Sequence, residues 1–144
     1  MYKRVLLPVS GETGCKRALI ALRRALKICD GEIIILHVTE PIVQTVGGEA
    51  RTEMEEQNES NAVMVMGPVI EALQYAGAPF HMRVVPGTPA ETINKVADEE
   101  NVEAIVMFTD GRDGLGDMIL GSITERVLRN TSRDLIAVRE KAGE

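Results

Sequence analysis

Apolar residues along this chain follow two rhythms. In five short runs they fall on consecutive or nearly consecutive positions: 3–9 (KRVLLPV), 32–38 (EIIILHV), 80–86 (FHMRVVP), 102–108 (VEAIVMF) and 134–140 (DLIAVRE). Each run predicts a strand, and stretches such as Ile33-Ile34-Ile35-Leu36 suit strands that helices cover on both faces. Between the runs the period lengthens. Leu19, Leu22, Ala25, Leu26 and Cys29 recur at spacings of three and four and predict a helix over 18–28, and Ile93, Val96 and Ala97 predict another over 90–97. A further helix is expected over 53–76, bent at Gly67-Pro68 and ending at Gly77, because Pro68 donates no N–H and its ring clashes one turn back. Residues 39–52, with Pro41 and the Gly47-Gly48 pair, read as a mobile loop.

Alternation of strand and helix with right-handed crossovers predicts one α/β domain over 1–144. Its centre is a doubly wound open parallel sheet of five strands with helices on both faces. Ligands of such sheets sit beyond the carboxyl ends of the strands, where the winding reverses. The loops after the first and fourth strands are therefore the places to look.

Composition narrows the function classes. With 144 residues and 44% apolar content, the chain can fill one core without metal or disulfide staples. Cys15 and Cys29, read as members of one helix, lie too far apart along its axis to bond and match no zinc spacing, so both are expected as reduced core thiols. No apolar run reaches membrane-spanning length and no secretory leader opens the chain, which makes the cytoplasm the expected location. A net charge of −6, two Phe, two Tyr and no Trp argue against nucleic acid as a partner.

The first candidate loop contains GETGCK (11–16), which invites comparison with a P-loop. That motif needs four residues between its glycines and then Lys-Ser/Thr, whereas Gly11 and Gly14 are separated by two and Lys16 precedes Arg17. A tight turn with Thr13 capping the first crossover helix is the simpler reading. Ser10 and the amides around Gly11 are left as groups that can face a ligand held by the other loop.

The second loop, FTDGRDGLGDMILGSITER (108–126), carries GRDGL, nine residues between Gly111 and Gly121, and then GSITERVL. This pattern resembles the signature of the universal stress protein family, whose ATP-binding branch carries G-x2-G-x9-G-[ST]. The resemblance runs along the whole chain, through MYKRVLLPV at its start, ILHV (35–38), PGTPAETI (86–93) and VEAIVM (102–107). It implies a flavodoxin-like sheet of order 3-2-1-4-5, a homodimer formed through the last strand (134–140), and ATP as ligand, with Mg²⁺ as an accompanying option. By the same resemblance Val38 lies against adenine, and the nucleotide site draws on Pro8, Val9, Ser10, Val38, Met107, Phe108, Gly111, Arg112, Gly114, Gly121, Ser122, Ile123 and Thr124.

The residues supply a physical logic for that ligand. Gly121, Ser122, Ile123 and Thr124 open the fourth helix, so their N–H groups and the positive end of its dipole point at an anion, helped by the hydroxyls of Ser122 and Thr124. Gly111 and Gly114 let backbone approach the guest with no Cβ in the way. Asp110, Asp113 and Asp117 oppose it, with Arg112 the one cation among them. A carboxylate about 4 Å from a phosphate costs roughly 4 kcal/mol at an effective dielectric near 20, against about 0.3–1 kcal/mol from a helix terminus. These carboxylates must therefore face solvent or a bridging divalent cation.

Two positions depart from the family pattern: Phe108 stands where its first glycine would be, and Ser10 where its first strand ends in Asp. The Phe108 ring either turns into the core or fills the nucleotide's volume, and both readings stay open. The second makes the chain a dimeric interaction module that binds no nucleotide. A ligand-free account of the helix mouth also exists, since Ser122-x-x-Glu125 is a capping box.

Groups for catalysis are few. His37 lies within an apolar run and reads as a core histidine bonded to backbone, while His81 has no evident partner. Met64 and Met66 read as gap-fillers in a core or at an interface. No triad, metal site or base–nucleophile pair emerges, so a sensor that holds nucleotide with little or no turnover is expected rather than an enzyme.

Overall fold

A computed structural model describes residues 1–11, 15–109 and 121–140, with Cys15 described in its backbone alone. In chain order it forms β1 (Tyr2–Pro8), α1 (Cys15–Ile28), β2 (Cys29–Thr39), α2 (Gly48–Ala76), β3 (Phe80–Pro86), α3 (Pro89–Glu99), β4 (Ala104–Phe108), α4 (Ser122–Asn130) and β5 (Asp134–Val138). The five strands make one parallel sheet of order β3-β2-β1-β4-β5, as expected from the resemblance. No helix among the described residues is long and apolar enough to cross a membrane.

Consecutive apolar residues on the strands feed two separate cores. Val5, Leu7, Ile33, Ile35 and Val106 pack under α1 and α2 with Leu22, Met66 and Leu73. Leu6, Ile34, Leu36, Ile105 and Met107 pack under α3 and α4 with Ile93, Val96 and Val127. Strand side chains alternate between faces, so a strand buried on both sides must be apolar throughout. The winding reverses between β1 and β4, which sets the crevice at their carboxyl ends.

Several boundaries differ from the sequence expectation, and at the starts of β2 and α2 the local reason is visible. Cys29 begins β2 rather than ending the first helix, so the two cysteines do not share one helix; its buried thiol is free. The register slips there, from Tyr2 opposite Cys29 to Arg4 opposite Glu32. Gly31 permits the slip, because a Cβ on it would come within 2.0 Å of the Lys3 carbonyl oxygen.

Helix α2 starts at Gly48, so residues 48–52 belong to a helix and not to a loop. Arg51 secures that turn by donating to the Val46 carbonyl at 3.2 Å and pairing with Glu55 at 3.2 Å. The helix runs on through Pro68, where the sequence suggested a bend, with buried Ala62, Met66, Val69 and Leu73 holding both flanks on the sheet. It ends as expected at Gly77, whose φ of 67° lies in the left-handed region, with N–H bonds running back to the last turn. Strand β5 stops at Val138, two residues short of the predicted run.

Candidate functional site

The crevice follows from where the central ladder ends. Among the described residues, strands β1 and β4 pair only at Val5–Ala104 and Leu6–Ile105. By contrast β1 stays with β2 as far as Pro8–Leu36, and β4 stays with β5 as far as Phe108–Val138. The carboxyl ends of the two middle strands are thus held by their outer neighbours and not by each other.

On the β1 side, buried Val9 donates its N–H to the Leu36 carbonyl at 2.7 Å, and its own carbonyl meets His37 Nδ1 at 2.9 Å. His37 is therefore the backbone-bonded histidine that its apolar setting suggested. Pro8 is half-buried and Ser10 exposed. Gly11 runs so close to α2 that a Cβ would sit 2.9 Å from a methyl of Val65. Lys16, rejected as a P-loop lysine, pairs with Glu140 at 3.1 Å.

Val38 and Met107 lie on the α3/α4 side of the sheet, the first half-buried beside that core and the second within it. Phe108 points the other way. It packs against the α1/α2 core, and the Arg17 guanidinium lies over its ring, 5.4 Å from the centroid. Of the two orientations left open by the sequence, the ring takes the one turned toward α1.

The mouth of α4 needs two corrections. The expected capping box is not formed: Gly121 is the N-cap, no side chain among the described residues caps the helix, and Glu125 pairs instead with Arg129. The Gly121 amide is also not open to an anion, because it donates to Thr109 Oγ1 at 2.9 Å. Ser122 and Ile123 are exposed, whereas Thr124 is buried on the inner face with Val127. In the first turn, the amides of Ser122, Ile123 and Thr124 have no intrahelical acceptor, and the helix dipole adds positive potential there. Gly111, Arg112 and Gly114, the carboxylates of Asp110, Asp113 and Asp117, and the proposed cap Thr13 all lie outside the described residues. Among the described residues no cluster of His, Cys, Asp and Glu has the makings of a metal site.

The model of the universal stress protein family matches residues 1–139. The chain belongs to the universal stress protein family. Universal stress protein MJ0577 of Methanocaldococcus jannaschii is 27% identical over 98% of this chain and 97% of its own. The solved structure of MJ0577 superposes with a TM-score of 0.75 and covers 99% of both chains. A universal stress protein solved in complex with cAMP shares the fold at a TM-score of 0.69, with 21% identity and coverage of 95% and 96%. A family protein of Arabidopsis thaliana with AMP bound does so at 0.68, with 14% identity and coverage of 97% and 93%.

This universal stress protein also holds a constellation that its sequence did not disclose. At the amino half of the sheet, on the α3/α4 face, His81 stands between two carboxylates, with Nδ1 3.0 Å from Glu32 and Nε2 2.7 Å from Glu100. Arg4 bridges the same two carboxylates, and Arg83 pairs with Glu100 at 3.0 Å and Glu99 at 2.9 Å. The His81 bond, aided by Arg4, holds the Glu32 carboxyl below its ordinary value. For Glu100 partial burial pushes upward, and the bonds from Arg83 and His81 overcome it, leaving that carboxyl lowered as well. Every charge in the cluster faces an opposite one, so it reads as a structural clamp between α3 and the first three strands. The only sequence signal was the repeated charge at strand starts. The pairing of His81 with residues 19 and 49 positions away required the fold.

Of the methionines singled out, Met66 is fully buried as a gap-filler, while Met64 is 77% exposed on the outer face of α2.

Proposed function

We propose that this chain binds an adenine nucleotide, ATP by family resemblance, in the crevice between the carboxyl ends of β1 and β4. In this reading the protein is a sensor whose bound state alters its contacts, not a hydrolase. The observation that carries the proposal is the mouth of α4, where exposed Ser122 begins a helix with no capping side chain among the described residues, at the carboxyl edge of a sheet whose β1 and β4 have already ceased to pair. The Phe108 ring, turned under Arg17 against the α1 side, favours this over the blocked interaction module. Two proteins of the same fold were solved with cAMP and AMP, which supports the ligand class.

Val38 and Met107 would meet the base from the α3/α4 side. Pro8, Val9, Ser10 and Phe108 would border the sugar, and Gly111, Arg112 and Gly114 would complete the phosphate loop. Gly121 contributes by lacking a side chain. A homodimer through β5 fits an edge strand that, among the described residues, pairs only with β4.

Calorimetric titration with ATP, ADP, AMP and cAMP, each with and without Mg²⁺, tests the proposal. Saturable binding accompanied by a rise in Tm is expected. The absence of binding at millimolar nucleotide overturns it, and steady release of phosphate overturns the sensor reading in favour of an enzyme.

A further inference from the structure

We propose that Thr109 is the positioning residue of this nucleotide site: its hydroxyl pins the mouth of α4, so that the amides of Ser122, Ile123 and Thr124, and not that of Gly121, receive the phosphate. The inference rests on the reading above and adds a residue that neither the glycine pattern nor the charge of the loop points to.

Thr109 is 2% exposed and joins three elements. Its N–H donates to the Val138 carbonyl at 2.9 Å, prolonging the tie between β4 and β5 by one residue. Its Oγ1 accepts the Gly121 N–H at 2.9 Å, which fixes the N-cap of α4 against the end of β4. Thr109 and Gly121 are the two described residues that flank 110–120, so this one bond sets the distance between the ends of the glycine-bearing segment.

The bond also settles which amides are available. Gly121 has φ −60° and ψ 152°, a conformation open to any residue, so its glycine is not demanded by the backbone. With its N–H engaged by Thr109, it leaves a three-amide set one residue deeper in the helix. Valine at 109 keeps the β-branched shape that suits a strand end but offers no acceptor, whereas serine restores the oxygen.

The test compares the native protein with Thr109→Val and Thr109→Ser in two measurements. Without ligand, amide exchange at Gly121 is expected to be protected in the native and Ser proteins and at least about tenfold faster in the Val variant. In ATP titrations the Val variant is expected to lose roughly tenfold in affinity and the Ser variant to regain it, a rescue that mere packing would not give. Rapid exchange at Gly121 in the native protein overturns the pin even if the Val variant fails to fold. Unchanged ATP affinity in a folded Val variant overturns the positioning role alone. A native protein that binds no nucleotide overturns the functional reading and, with it, the role assigned to Thr109.

Discussion

The two ends of the sheet solve the same problem in opposite ways. Strand ends and helix ends leave polar backbone and charged side chains that must find partners. At the amino half, long side chains do the work: Arg4, Glu32, His81, Arg83, Glu99 and Glu100 saturate one another across β1, β2, β3 and the end of α3. At the carboxyl edge the long side chains, Lys16 with Glu140 and Arg17 over Phe108, gather on the α1 side, while Val9, Ser10, Gly11, Val38, Thr109, Gly121 and Ser122 are short or apolar. One end is closed by mutual pairing and contributes rigidity. The other ends in the first turn of α4, where the proposed guest would bind.

Substitutions at the two ends should therefore separate cleanly. The largest effect is expected from Gly121→Val, which places a branched side chain at the helix mouth where the backbone angles already tolerate it. ATP affinity should fall roughly a hundredfold while the ligand-free Tm stays within about 2 °C of native. Titration paired with calorimetric melting reads both quantities, and a large Tm loss would show that the carboxyl edge also carries stability.

Next in size is Glu100→Gln, which strips a half-buried carboxylate from Arg4, His81 and Arg83 together. A loss of about 2 kcal/mol, roughly 4–8 °C in Tm, is expected with nucleotide affinity unchanged. The same cluster makes an acid prediction. Glu32 and Glu100 titrate below the ordinary value of 4.5, so the stability they add is present above that pH and is lost as pH falls through their lowered folded values. Melting curves below pH 4.5 should slope less steeply for the Gln variant than for the native protein. Parallel slopes would remove the clamp from the acid response.

Among substitutions at the carboxyl edge, the smallest effect on binding is expected from Phe108→Gly. With the ring turned toward α1, its removal should change ATP affinity by less than about threefold and destabilise the fold by roughly 1–3 kcal/mol through lost packing and added chain entropy. If binding appears only in this variant, the ring blocks the crevice and the interaction-module reading takes over.

Legibility in the sequence was uneven for physical reasons. Strands and crossover helices announced themselves because burial on both faces leaves no polar position inside a run such as 33–36. The start of α2 was hidden by Gly47-Gly48, since paired glycines read as a loop whether or not a helix begins at the second; an Arg51–Glu55 pair and the bond from Arg51 to Val46 tipped the balance. The capping box failed for a related reason. Ser122 and Glu125 satisfy a local pattern, but Gly121 is the N-cap and Arg129 takes the glutamate. His81 gave no clue to its partners because they lie on other elements.

What the sequence by itself determined was the order of elements, the two-sided parallel sheet and the family, because each is written in the local period of apolar residues and in one long glycine-spaced motif. Tertiary structure alone decided that Phe108 turns under Arg17, that Thr109 takes the Gly121 amide, and that His81 sits between Glu32 and Glu100. Each of these depends on the direction of one side chain or amide relative to an element distant in sequence. Periodicity reports which face a residue occupies, but not which partner it meets there.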